Sequence, residues 1–271
     1  MARTIAVMQP YLFPYLGYFQ LIAAADVFVL GDDLQYVRSG WVNRNRILQG
    51  DQARLVTFPL KKDRFDLQIN QRQLCDYFSE EAERLIHLIA EAYAQAPYFA
   101  QVMPLIERLM RFPQQNVALY AENAIREICT FLHIRTPIVR SSELILGHPA
   151  DKQERVTRMA HTFEADTFMT PQGGSVIYDR DRFARNGIKV RFFRMDGLTY
   201  PQFGAPFVAN LSIIDVLMFN CIEQVQQMLP RYQLDTHLPS VKHPARVGLP
   251  PFSECVPTPV EADCSGVTQH V

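Results

Sequence analysis

Residues 4–30 read TIAVMQPYLFPYLGYFQLIAAADVFVL, and the order of apolar, proline and small residues along them decides the fold class. Thr4 to Met8 is a short apolar run ending at Gln9-Pro10, which reads as a buried strand whose exit proline forces into an extended turn. Gly17 to Ala25 then places Phe19, Ile22 and Ala23 on one face at helical spacing. Asp26 to Leu30 returns to a buried strand. Strand, loop, helix and strand form a βαβ unit, whose crossover is expected to be right-handed.

The same rhythm extends outward. Gly31 to Ile47 is polar and aromatic, and Arg54 to Leu60 is a strand candidate that runs into the basic cluster Lys61, Lys62 and Arg64. From 76 to 133 three periodic blocks predict helices, at Tyr77–Tyr93, Tyr98–Phe112 and Val117–Leu132, broken at Pro97 and Pro113. The second half predicts strands at Thr136–Val139, Thr167–Thr170 and Gly187–Phe193, and helices at Lys152–Phe163 and Ile213–Met228. This alternation implies an α/β fold with a mainly parallel, Rossmann-like sheet. One domain over 1–234 is expected, with a helical insertion at about 76–133. Beyond Leu234 the chain is rich in proline, serine and polar residues without periodicity, so 235–271 is expected to be a disordered tail.

Of the 271 residues 48% are hydrophobic, enough for one sizeable core, and the net charge is −1. A near-neutral chain has no overall basic field, so nucleic-acid binding through bulk charge is not expected. Cys75, Cys129, Cys221, Cys255 and Cys264 are odd in number and never in C-x-x-C spacing. They suggest a reducing compartment and neither a zinc site nor a disulfide framework. No stretch has the length of a membrane span and the N-terminus lacks a secretory pattern, so a cytoplasmic protein is expected. The sequence lacks the P-loop, G-x-G-x-x-G, H-E-x-x-H and G-x-S-x-G patterns. No cofactor and no metal site is identified, and the oligomeric state is left open.

Three stretches carry candidate chemistry, and a fourth, NLSIID, reads as a structural helix start. QPYLFPYLGY leaves the first strand and supplies Gln9, Tyr15, Gly17 and Tyr18, at the position where open α/β sheets bind ligands. GDDLQYVRSGWVNRNR leaves the second strand and holds Gln35, Tyr36, Arg38, Trp41, Asn43 and Arg44. Arginine and asparagine beside aromatic rings suit a planar, anionic ligand, because guanidinium forks match phosphate or carboxylate while rings stack on a base or sugar. Asp32 and Asp33 are candidate acid–base residues together with Tyr18, although adjacent side chains on an extended segment face opposite ways. TPQGGSVIY follows a third strand, where Gly173 and Gly174 expose backbone N–H groups and Tyr178 closes the turn. NLSIID opens the last helix, with Asn210 or Ser212 as N-cap and Asp215 in its first turn.

Together MQPYLFPYLGYFQLI, DDLQYVRSGWVNRNRI, the segment ending at Tyr178 and NLSIID resemble the WbqC-like family, from about residue 4 to 230. The resemblance implies a role in bacterial surface-polysaccharide (O-antigen) biosynthesis. That role would be a transferase or ligase acting on an activated, nucleotide-linked sugar or an amino-acyl group, glycine transfer included. More distantly, the layout is similar to HUP-type nucleotidylyltransferases, whose loop carries H-x-G-H. Here those positions are Tyr15-Leu16-Gly17-Tyr18, and a phenol is neutral where imidazolium would carry charge. The alternative is therefore a non-catalytic nucleotide- or sugar-binding protein on the same fold. In either case the partner is a small molecule, and Tyr18, Arg44 and Tyr178 are expected to face one cavity at the carboxyl edge of the sheet.

Overall fold

A computed structural model of the chain describes residues 2–204 and 206–235, so the expected tail lies outside the described residues from 236 onward. Strand β1 (Thr4–Met8) leads through α1 (Leu16–Ala24) to β2 (Val27–Leu30). A hairpin follows, β3 (Arg44–Gln49) and β4 (Gln52–Thr57), then three helices, α2 (Phe78–Tyr93), α3 (Phe99–Met110) and α4 (Val117–Phe131). The second half runs β5 (Ile138–Arg140), α5 (Lys152–Thr162), β6 (Thr167–Pro171), α6 (Arg180–Ala184), β7 (Lys189–Met195), α7 (Ile213–Phe219), α8 (Ile222–Met228) and β8 (Tyr232–Asp235).

Six strands form the central sheet in the order β5-β2-β1-β6-β7-β8, parallel except for β8, and β3 and β4 pair separately. The chain winds from β1 outward through β2 to β5, then restarts on the other side of β1 at β6. That reversal makes the carboxyl ends of β1 and β6 the topological switch point of a Rossmann-like sheet.

Both faces of the sheet are covered, as a parallel sheet requires. The pleat of β2 sends Phe28 and Leu30 to one side and Val27 and Val29 to the other. The first side is the larger core, where α1 to α4 and α7 pack with Ala6 and Met169. The second holds Ile5, Phe168 and Phe192 against Val156, Met159 and Ala160 of α5 and Phe183 of α6. The helices of 78–131 thus share one apolar core with the sheet.

Three of the differences from the expectation bear on the strands and on the last helix. The strand expected at Arg54–Leu60 is the second arm of a hairpin that begins at Arg44 and turns at Gly50 (φ 63°) and Asp51. The helix expected over Ile213–Met228 breaks after Phe219, because the Asn220 side-chain amide donates to the Val216 carbonyl (2.8 Å), the acceptor its own backbone N–H would use. Cys221 and Gln224 then cap α8 reciprocally. Finally β8, unread in the polar end of the sequence, pairs antiparallel with β7, the Tyr232 ring lying 4.9 Å from that of Phe193.

Candidate functional site

Alternation along β3 sorts its polar residues. Arg44 and Arg46 share one face, while Asn45 joins Ile47 on the buried face. Trp41, just before the strand, lies under both guanidinium groups, whose central carbons sit 5.8 Å (Arg44) and 5.3 Å (Arg46) from its ring centroid. On the buried side the Asn45 amide donates to the carbonyls of Leu12 (3.0 Å) and Phe13, and Leu12 N–H donates to Val42 O (3.0 Å). The loop leaving β1 is thereby tied to the hairpin.

A third segment closes the arrangement. Ser212 Oγ donates to Phe13 O (2.8 Å), its N–H donates to Arg46 O (2.7 Å), and Ile213 N–H donates to Pro14 O (2.9 Å). These bonds hold Phe13 (φ 48°) in the left-handed region, and Asn210 (φ 58°) adopts it as well. Such conformations cost about 1–3 kcal/mol for residues other than glycine and persist only where the surroundings fix them. Between the three segments lies a shallow recess, partly open to solvent, lined by Tyr11, Pro14, Tyr15, Trp41, Arg44, Asn45 and Asn210.

Arg44 is the charged residue of this lining, and Arg46 lies beside it over Trp41. Among the described residues neither Arg44 nor Arg46 forms a salt bridge, whereas Arg111, Arg126, Arg155 and Arg158 all do. Arg44 Nε donates to Gly40 O (2.9 Å), and Arg46 reaches Asn210 O only at 3.5 Å while its Nε is buried without a hydrogen-bond partner. Burial pushes the Tyr11 phenol up to about 12, so it remains a neutral hydrogen-bonding group. Among the described residues no three His, Cys, Asp or Glu side chains are placed to hold a metal ion.

Other residues expected at the site have scaffold duties. Tyr18 is fully buried, 5.3 Å ring to ring from Phe28, and its hydroxyl donates to Gln9 O (2.9 Å). Asp32 is buried and accepts from Ser142 N–H (3.0 Å), Ser142 Oγ (2.6 Å), Ser141 Oγ (3.2 Å) and Asn70 Nδ2 (3.4 Å). Asp33 pairs with Arg155 and accepts from Ser141. The two aspartates therefore fasten the exit of β2 to that of β5. Asn43 accepts from Tyr36 OH (2.8 Å) and donates to Phe58 O (2.8 Å), and Gln35 and Arg38 are exposed beside them.

The glycines have steric reasons. A Cβ on Gly17 would lie 2.5 Å from the Tyr15 ring, and one on Gly174 would lie 2.6 Å from Thr170 Oγ1, while Gly173 has open space. Tyr178 packs edge-on against Phe168 (5.1 Å) with the smaller core, on the opposite face of the sheet from Tyr18. The expectation that Tyr18, Arg44 and Tyr178 face one cavity is corrected accordingly, because only Arg44 lines the recess. A side chain that a helix or turn directs onto the sheet cannot also face the loops beyond its edge.

Asn45 and Arg46 stand within the stretch that the sequence singles out but not among its candidate site residues; the R-x-R spacing signals a shared face once the segment is a strand. The recess draws on three of the four motif stretches: the loop after β1, the tryptophan–arginine strand and the start of NLSIID.

The pattern describing the WbqC-like protein family matches residues 9–227, which includes every residue lining the recess. A Mycobacterium tuberculosis protein named uncharacterized protein Rv1507c is 28% identical over 221 residues, covering 80% of this chain and 94% of that protein. With the family pattern covering residues 9–227, the hairpin and the recess included, this chain belongs to the WbqC-like protein family.

Proposed function

We propose that the recess binds a nucleotide-linked sugar and that the chain acts as a transferase on it in bacterial surface-polysaccharide biosynthesis, attaching the sugar or an amino-acyl group such as glycine. The observation that carries this reading is the pair Arg44 and Arg46, side by side on Trp41 without a carboxylate partner among the described residues. Two guanidinium forks grip phosphate oxygens in bidentate fashion, and Tyr11 and Tyr15 line the recess beside them. The same cations would stabilise a departing phosphate as negative charge develops on it. The lining contains no carboxylate, imidazole or thiol, so the chain's part in this reading is charge stabilisation and orientation rather than proton abstraction.

A second reading, a binding protein without turnover, is favoured by the commitment of Asp32, Asp33 and Tyr18 to scaffold bonds. One experiment addresses both. Thermal unfolding is followed with a panel of nucleotides and nucleotide-sugars, for the wild type and for Arg44→Ala, and any stabilising nucleotide-sugar is then incubated with amine and hydroxyl acceptors while nucleotide release is measured by NMR. A rise in Tm with occupancy that Arg44→Ala abolishes supports the site. No shift across the panel sinks both readings, and a shift without release rules out transfer of the sugar.

A further inference from the structure

The segment that opens α7 carries a polar side chain with no structural duty. Ser212, not Asn210, caps the helix, its side chain accepting from Ile214 N–H (3.3 Å). Asn210 lines the recess with its backbone in the left-handed region (φ 58°), and Arg46 reaches its backbone carbonyl at 3.5 Å. Its carboxamide forms no hydrogen bond among the described residues. Asn45, the other amide of the lining, is engaged at both ends: it donates to Leu12 O and Phe13 O and accepts from Arg46 N–H (2.8 Å). Glycine adopts a positive φ freely, and asparagine is tolerated there because its side chain can bond to nearby backbone, which this one does not do. The position is nonetheless held from both sides. Gln202 accepts from Val208 N–H (2.8 Å), and its amide donates to Val208 O (3.1 Å) and to the buried Asp215 carboxyl (2.8 Å). On the other side Ser212 is bonded to Phe13 and Arg46.

Two further groups of the lining are open. Among the described residues the Tyr11 hydroxyl has no hydrogen-bond partner, and of the Arg44 nitrogens only Nε donates, to Gly40 O (2.9 Å). Guanidinium nitrogens only donate, which suits an anion, whereas a carboxamide and a phenol each donate and accept, which suits a hydroxyl. We infer that Asn210 is a specificity-determining residue of the recess, reading together with Tyr11 a sugar hydroxyl near the phosphate that Arg44 holds, so that the chain prefers a sugar phosphate to a phosphate ester without hydroxyls. This rests on the recess being an anion site, as proposed above. A ligand lacking the hydroxyl leaves the fixed carboxamide without a partner in the complex. Hexosyl and ribosyl hydroxyls share this chemistry, and the test separates them.

Affinities are measured by calorimetric titration with methyl phosphate, α-glucosyl phosphate and the primary phosphate ester of ribose. For the wild type at least one of the two sugar phosphates is expected to bind about tenfold tighter than methyl phosphate, and the tighter one identifies whose hydroxyls are read. In Asn210→Gly, whose backbone takes the same φ without strain, Tm is expected not to fall and the ratio to drop to about threefold or less, with methyl phosphate binding kept. Asn210→Asp sets a carboxylate beside Arg44 and Arg46 and is expected to weaken methyl phosphate binding itself by about tenfold or more. Equal wild-type affinities for all three esters, or a ratio that survives Asn210→Gly, overturn the assignment and leave the recess reading standing. It is overturned as well by a lower Tm in Asn210→Gly, which makes the side chain scaffold, or by methyl phosphate binding unchanged in Asn210→Asp. No binding of any of the three esters overturns both.

Discussion

Arg46 shows how a residue can be costly to the folded chain alone and useful to its complex. Its Nε is buried without a partner, and its charge sits beside that of Arg44 over one indole. Burying a polar group unpaired costs about 1–3 kcal/mol, and more where it is charged. Arg46→Met keeps the length and apolar stem while removing the charge. In the absence of ligand this variant is expected to be as stable as the wild type or more stable by about 1 kcal/mol, and to lose the stabilisation that a nucleotide-sugar confers. Denaturant titration with and without ligand checks both halves. A destabilised variant that still binds would show Arg46 to be scaffold. The residue was hard to find in the sequence because its significance depends on the pleat: read as loop, N-R-N-R is four solvated side chains, and read as strand it is two cations on one face and two buried amides on the other.

At the scale of elements, what holds the hairpin in place is a polar network that periodicity does not reveal. Leu48 N–H donates to the Tyr93 hydroxyl oxygen (2.8 Å), Tyr93 OH donates to Asp215 Oδ1 (2.9 Å), and Tyr200 OH (2.6 Å) and Gln202 Nε2 (2.8 Å) donate to Oδ2. β3, α2 and α7 are joined through one carboxyl group that is completely buried. In sequence Asp215 reads as a first-turn carboxylate placed for the helix dipole, and no local pattern announces that residues 93 and 200 converge on it. Burial raises the Asp215 carboxyl above its ordinary range, against the lowering effect of the hydrogen bonds from Tyr200, Gln202 and Tyr93. A carboxyl whose folded pKa is raised contributes stability that is complete below the unfolded pKa and is lost as pH rises through the folded one. The advantage of the wild type over Asp215→Asn is therefore expected to be largest near pH 4 and to shrink toward pH 8, in thermal unfolding followed across that range. A gap that widened with pH would mean that the three donors outweigh desolvation. The amide turns an N–H₂ toward at least one of those donors, so Asp215→Asn is expected to be less stable than wild type by about 2 kcal/mol near pH 4, where the gap is largest.

Over the whole molecule, the sheet was legible where burial is apolar. TIAVM and DVFVL announce β1 and β2, and the three periodic helical blocks match α2, α3 and α4 to within a residue or two. The strand order and the side of the sheet that each loop serves were not legible, because they depend on contacts between distant segments. Hence QPYLFPYLGY was singled out correctly as a loop leaving β1, yet its Tyr15 lines the recess while Tyr18, three residues on, lies in the core. The aspartates show the same ambiguity: Asp-Asp at a strand exit suits catalysis and cross-bracing equally well until the partner strand is known. Here the brace is between β2 and β5, and Asp32 has four donors arranged around it. Removing it leaves Ser142 and Asn70 without their acceptor at a buried junction, while Ser141 keeps Asp33, so Asp32→Ala is expected to cost about 3 kcal/mol. In a chain of this size that lowers Tm by roughly 10 °C. The recess is built from the β1 loop, the hairpin and NLSIID, none of which supplies Asp32 with a partner. Its ligand-induced rise in Tm should therefore survive the substitution with nearly full amplitude. If instead Asp32→Ala unfolded at the wild-type temperature and lost the ligand response, the carboxylate would belong to the site, and the assignment of the two sheet-edge regions to separate tasks, bracing and binding, would be reversed.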